Sequence, residues 1–231
     1  MSKILVFTAT YNEKVNIAIL LKKFKNLKVN LDILIVDDNS PDGTKEVIKN
    51  LSKKKNIILK VRKKKLGLNT AHQFAYKFAK KNKYKKLITL DADLSHDPKE
   101  IPKILKLLDK HDFVIGSRYS KNGKNSQPLH RYLISYLGNK LIKFITRINI
   151  NEYTTSYRGF NLSKLKKFDL KQIKGKGYSF FMETVIVLKR LNYNCKEIPI
   201  YFQDRSHGKS KIPKIEIIRT LKNLIILAFK K

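Results

Sequence analysis

The chain has 231 residues, 42% of them apolar, with 51 Lys and Arg against 18 Asp and Glu for a net charge of +33. That length suits one compact domain with a sizeable core, and the apolar content excludes a disordered basic tail. The single cysteine, Cys195, excludes an internal disulfide framework and fits a reducing compartment. The charge, carried by Lys far more than Arg, suits polyanionic partners without selecting among them.

From the amino end the sequence runs straight into a strand pattern, with no signal-peptide pattern before it. Short β-branched apolar runs then alternate with amphipathic stretches. Strands are expected over residues 4–8, 33–36, 57–61, 87–90 and 113–115, and helices over 14–27, 44–51, 70–80 and 99–109. Apolar strands separated by helices predict a mostly parallel α/β sheet covered on both faces. Ligands of such sheets bind beyond the carboxyl ends of the strands. Tyr11 to Glu13, Asp37 with Asp38, Asp91 to Asp93 and Gly116 to Arg118 all fall at those ends.

The second half is less regular. Residues 120–128 read as a polar loop, 130–147 as a helix, 181–191 as another, 197–202 as a strand and 203–211 as a second polar loop. A final amphipathic helix is expected from Pro213, where proline at a helix start is tolerated. It has Ile217, Ile218, Leu221, Leu224, Ile225 and Leu227 on its apolar side, and it either docks on the core or lies in a membrane interface. The longest apolar run near the carboxyl end, 224–229, is far short of the ~20 residues a spanning helix needs.

The most informative string is Leu90-Asp91-Ala92-Asp93. On an extended strand end, carboxylates at i and i+2 point to the same side, about 6–7 Å apart. Mg²⁺ or Mn²⁺ is held by one or two carboxylates plus substrate phosphates. A bare acid-x-acid pair is more often a solvated or capping turn, but acids are scarce here and two share a ligand position, which turns the weighing towards a metal. In the string 36–44, Asp42 reads as a helix cap with Pro41 and Gly43 making the turn. Asp37 and Asp38 are left to accept hydrogen bonds from a ribose or base. Asn12 reads as a cap, and Tyr11 as a ring able to line a nucleobase.

Plainer readings suffice elsewhere. His72, His111, His130 and His207 are scattered surface or packing residues, Phe74 with Phe78 is core, and Cys195 is an inert buried thiol. Asp97 and His96 are the candidate bases, with Asp97, ahead of Pro98, reading more as a cap.

Together these strings resemble the family 2 glycosyltransferases, most closely the dolichyl- and polyprenyl-phosphate mannose synthases, over nearly the whole chain. The family's P-T-Y-N-E is similar to Ala9 to Glu13 here, with Ala9 replacing the proline, and D-D-N-S-P-D-G-T stands intact at 37–44. G-L-G-T-A corresponds to 67–71, D-A-D-L-S-H-D-P to 91–98 and G-S-R-Y to 116–119. D-x-T-S-G-F-R is altered over 152–158 but keeps Arg158, and R-x-x-G-x-S-K matches Arg205 with 208–211. Seven strings in chain order are specific where each alone is modest.

The resemblance implies a nucleotide-diphospho-sugar transferase (GT-A-like) fold, with a catalytic domain over 1–212 and the amphipathic helix over 213–231. It implies that Tyr11, Glu13, Asp37 and Asp38 bind the nucleotide, taken as GDP. Asp91, Asp93 and Ser95 would surround Mg²⁺ or Mn²⁺. Arg118, Arg131, Ser135, Arg205 and Lys211 would receive the donor diphosphate or a lipid phosphate, with Asp91, Asp93 and Arg205 the catalytic set. The implied reaction inverts the sugar, mannose from GDP-mannose, onto polyprenyl phosphate. A lipid phosphate with a second pKa of about 6 is already ionised and needs no base, whereas a hydroxyl acceptor on a polysaccharide or lipid would need one. The expected setting is cytoplasmic, peripheral on the cytoplasmic face of a membrane, with room for a membrane-anchoring partner protein. A basic nucleic-acid-binding protein, the reading from another class, leaves the polar clusters at four strand ends, three of them acidic, unexplained.

Overall fold

The computed structural model describes residues 3–52, 56–205 and 216–229. The first half alternates strand and helix: β1 (Ile4–Thr10), α1 (Lys14–Lys25), β2 (Asp32–Asp37), α2 (Thr44–Leu51), β3 (Ile57–Val61), α3 (Leu68–Lys81), β4 (Lys86–Thr89), α4 (Ile101–Lys110) and β5 (Phe113–Ser117). Then come β6 (Lys124–Asn125), α5 (Leu129–Thr146), β7 (Arg158–Asn161), α6 (Gly177–Arg190), β8 (Cys195–Pro199), β9 (Tyr201–Phe202) and α7 (Glu216–Phe229).

Among the described residues, seven strands form one sheet in the order β3-β2-β1-β4-β7-β5-β8. All pairs are parallel except the two made by β7, which runs antiparallel between β4 and β5. The expected mostly parallel sheet is therefore present, and it is covered on both faces. On one face α1, α2 and α4 bring Ile17, Leu20, Ile48, Ile101 and Ile104 against Val6, Ile33, Ile35 and Ile88. On the other, α3, α6 and α7 bring Ala71, Ala75, Met182, Val185 and Leu224 against Leu5, Phe7, Leu34 and Leu87. Burial on both sides explains why these strands read as continuous apolar runs.

Several expectations need correction. β1, β2 and β5 run on through Thr10, Asp37 and Ser117, because those polar residues stay buried at the sheet end. β4 stops at Thr89, so Leu90 lies beyond it. Strand β7 carried no sequence signal: four residues, Arg-Gly-Phe-Asn, are too short for a period. A Cβ at Gly159 would lie 2.5 Å from Ile104 Cγ2, so glycine lets α4 close onto this strand. The strand expected over 197–202 is split into β8 and β9, and β9 leaves to pair with β6 inside the expected polar loop. Phe74 is exposed rather than core, although its ring stacks on Phe78 at 6.2 Å.

Helix α7 buries Leu224 and Leu227 and leaves Ile218, Leu221, Ile225 and Ile226 exposed. Among the described residues no helix is long and apolar enough to cross a membrane.

Candidate active site

The polar ends of β1 and β2 are welded to each other. Asp37 accepts from Thr10 Oγ1 (2.8 Å), Ser40 Oγ (2.6 Å) and the Ser40 amide (3.0 Å), and it is fully buried. Its neighbour Asp38 pairs with Arg62, whose Nη2 reaches Oδ2 at 2.8 Å. Arg62 also donates to Thr70 Oγ1 (2.6 Å) and the Gly67 carbonyl (3.2 Å), so it ties β2 to the start of α3. Sequence reasoning missed Arg62, which sits at the head of a Lys-rich run. The available signal was its residue type: a planar fork is what a bidentate carboxylate needs.

The turn after β1 carries Tyr11 to Glu13. Asn12 was expected to cap α1, but it has φ +56° and its own amide donates to Ser40 Oγ (3.0 Å). The helix start is served across the chain instead: the Glu13 amide donates to Thr44 Oγ1 (3.0 Å) and the Lys14 amide to Asp42 Oδ2 (3.1 Å). Asp42 also accepts from the Thr44 amide at 3.0 Å, so although Gly43, not Asp42, is the N-cap of α2, its carboxylate serves the first amides of two helices. The Tyr11 ring lies beneath Lys65 Nζ at 4.8 Å.

Asp91 and Asp93 lie in the loop beyond β4, which bends from Ala92, not on an extended strand end as expected. Asp93 is buried; its Oδ1 accepts from the Ser95 amide (3.2 Å) and Ser95 Oγ (2.6 Å), while its Oδ2 lies 2.9 Å from Arg205 Nε. Ser95, expected beside the metal, donates to Asp93 and so orients it. The Ser95 carbonyl accepts from the Gln203 amide at 3.1 Å, which brings the segment carrying Arg205 over the acid pair. The Asp91 side chain is 31% exposed. The protein packed around that partly open carboxyl, and after it the charge of Asp93, push it up to about 7.

Neither candidate base is available. His96 is buried; its Nδ1 accepts from the Asp91 amide (3.3 Å), its Nε2 meets Thr155 Oγ1 (3.3 Å), and burial holds it neutral, pushed down to about 4. Asp97 caps the 3-10 turn over Pro98–Glu100 by accepting from the Lys99 amide at 3.1 Å.

On the far side, Arg118 at the end of β5 grips Glu152 through Nε to Oε2 (2.8 Å) and Nη2 to Oε1 (3.1 Å), with both side chains buried. It also reaches Gln127 Oε1 (3.2 Å) and, at 3.5 Å, Ser135 Oγ. The structure thus brings Arg118 and Ser135 together, and Glu152 already holds much of the guanidinium. Arg131 is exposed on the first turn of α5. Tyr178, on the first turn of α6 and missed by sequence reasoning, feels Arg118, Asp91, Arg205 and Arg131, and burial raises its phenol. Its string, 174–179, alternates Lys and Gly ahead of a helix, which was the legible signal. Lys211 lies outside the described residues.

Among the described residues, no three His, Cys, Asp or Glu side chains are grouped to hold a metal. The acid pair still fits a hard divalent cation, which takes one or two carboxylates and draws its remaining ligands from phosphate and water. A guanidinium already stands as a cation on the outer oxygen of Asp93.

A sequence model described as glycosyl transferase family 2 matches residues 5–169. The undecaprenyl-phosphate mannosyltransferase of Micrococcus luteus is 31% identical over 212 residues, covering 91% of this chain and 87% of that one. The polyprenol monophosphomannose synthase of Mycolicibacterium smegmatis is also 31% identical, over 90% of this chain and 80% of its own. Among solved structures, glucosyl-3-phosphoglycerate synthase from Mycobacterium tuberculosis, bound to Mn²⁺, UDP and phosphoglyceric acid, superposes with a TM-score of 0.70 at 12% identity, over 100% of this chain and 80% of that one. A mannosyltransferase from Pyrobaculum calidifontis, bound to GDP-mannose and Mn²⁺, gives 0.58 at 15%, over 90% and 58%. At these identities the structural likeness speaks to the fold alone, which is GT-A-like.

Proposed function

The chain belongs to glycosyl transferase family 2 and is a glycosyltransferase, and on that premise we propose that it inverts a mannosyl group from GDP-mannose onto a polyprenyl phosphate at a membrane surface. One observation carries the choice of acceptor: the two candidate bases read from the sequence are otherwise engaged, His96 sealed and neutral, Asp97 capping a turn. An acceptor that arrives ionised, as a phosphate does, needs neither.

In this reading Asp91 and Asp93 hold the cation, Mg²⁺ or Mn²⁺, and Ser95 fixes the rotamer of Asp93. A divalent ion bound there supplies charge neutralisation for the departing diphosphate. Arg205, close to the acid pair, and Arg131, at the rim, offer donors to the diphosphate or to the incoming phosphate. Tyr11 and Glu13 line the nucleotide, with Asp37 and Asp38 shaping the turn that receives it. The attacking phosphate oxygen forms the new bond to the anomeric carbon as the bond to the diphosphate oxygen breaks, so catalysis is positioning plus electrostatics.

The membrane setting is supported by α5, whose Leu129, Leu133, Ile134, Leu137, Leu141 and Phe144 are all exposed along one stripe, Phe144 at 81%. Basic residues near an anionic surface add about 1 kcal/mol each. We place the protein on the cytoplasmic face of the membrane, where a membrane-anchoring partner protein would share the same stripe. A second reading, transfer to a hydroxyl, is favoured by the Asp91 carboxyl near 7, a range suited to a general base. Labelled GDP-mannose offered with a short polyprenyl phosphate, or with the matching polyprenol, separates the two. Label in the phosphate product alone is expected, and label in the polyprenol would overturn the phosphate reading.

A further inference from the structure

A cavity of ≈ 300 Å³ opens between the carboxyl ends of α5 and α6, away from the acid pair. It is lined by Ile145, Thr146, Arg147, Ile148, Asn149, Ile186, Lys189 and Arg190: three cations, three isoleucines and no acidic side chain. Its size falls at the lower end of ligand pockets. On α5 the exposed Leu141 and Phe144 lie within about one turn of the lining residue Ile145, and on α7 the exposed Ile225 and Ile226 directly precede Leu227. Arg190 Nη2 donates to the Leu227 carbonyl at 2.6 Å, which fixes the end of α7 beside the cavity.

Cations in a last helical turn also offset the helix dipole, and Lys189 and Arg190 fit that role. Arg147 follows α5 in the left-handed region at φ +56°. The dipole does not account for a basic cavity on helices that also carry exposed apolar residues close by in the chain. That combination is what a phospholipid presents in reverse: an anionic phosphate flanked by acyl chains.

We propose that this cavity receives the phosphate of an anionic phospholipid while Leu141, Phe144, Ile225 and Ile226 enter the adjoining acyl region. The inference rests on the membrane-surface reading and adds a lipid class and a site to it. Ser135, the α5 residue that meets Arg118, lies eleven residues before Thr146, about 16 Å along the helix axis. The head-group cavity and the site mouth therefore sit towards opposite ends of one helix. Seating the first on the bilayer orients the second towards a membrane-held acceptor.

The full chain is tested by sedimentation with phosphatidylcholine vesicles, with or without phosphatidylglycerol. Arg147→Gln/Lys189→Gln should weaken binding to the anionic vesicles roughly 10- to 30-fold. Binding to neutral vesicles, the melting temperature and transfer to a short soluble polyprenyl phosphate should stay unchanged. The control Lys106→Gln/Lys110→Gln, on exposed positions of α4 across the sheet, should lose little. Equal losses from both pairs, or none from the Arg147 pair, overturn the cavity while leaving the membrane reading intact. A wild-type chain that binds neither vesicle overturns both.

Discussion

Arg205 holds its Nε 2.9 Å from Oδ2 of Asp93, so the buried carboxylate proposed to grip a divalent cation is already paired with a cation. The guanidinium and the metal then compete for one oxygen. Arg205→Ala should tighten Mn²⁺ binding in the absence of nucleotide several-fold, on the order of 1 kcal/mol. The same variant should lower kcat/KM about 100-fold, because the diphosphate loses a donor. Calorimetric titration of Mn²⁺ beside steady-state kinetics checks the opposed signs; parallel losses would mean that Arg205 supports the metal site instead.

Asp93→Asn keeps an oxygen for the Ser95 amide and hydroxyl, which hold Oδ1 at 3.2 and 2.6 Å. The fold should therefore survive, with a melting temperature within a few degrees of the parent, while turnover falls at least ~100-fold. Undiminished sugar transfer by this variant would remove the acid pair from the mechanism.

The Asp91 carboxyl is raised to about 7 by burial and by Asp93. A raised folded-state value means that the metal-free protein is favoured below the ordinary carboxylate range and loses that contribution as pH rises through about 7. Metal binding needs the deprotonated form, so it restores stability where the free pair is least favourable. The melting-temperature gain on adding Mn²⁺ should be small near about pH 5.5 and grow towards about pH 8. A gain independent of pH would place the metal elsewhere.

Glu152 and Arg118 form a buried pair, and the guanidinium holds the Glu152 carboxyl below its usual range against the opposing effect of burial. Glu152→Gln leaves Arg118 buried with its charge uncompensated, which should cost about 3–5 kcal/mol in denaturant unfolding. The pair's contribution is present above the ordinary carboxylate range and is lost as pH falls through the depressed value. A loss below about 1 kcal/mol would mean that the pair is solvated in solution.

Leu137 is 62% exposed at the centre of the α5 stripe. Leu137→Glu should leave stability within about 0.5 kcal/mol yet abolish sedimentation with vesicles. Transfer to a soluble acceptor should persist. Vesicle binding that survives this change would move the membrane contact off α5.

Much of the layout was legible beforehand because its physics is local. Sheet-buried strands must be apolar and helix faces must repeat, so 57–61 and 44–51 are read at their observed bounds. Residues engaged with distant partners were not legible. His96 and Asp97 look alike as candidate bases until one is found sealed beneath Thr155 and the other capping a turn. Arg62 and Asp38 meet across 24 residues, and no period joins them.

By itself the sequence determined the alternating architecture, the family strings and the positions at which acids gather, since these follow from residue type and short spacing. Only the tertiary structure decided which of those charges are already paired. It set Arg118 on Glu152, Arg62 on Asp38 and Arg205 on Asp93, because burial makes an unpaired charge too costly to leave and the partners come from segments far apart in the chain.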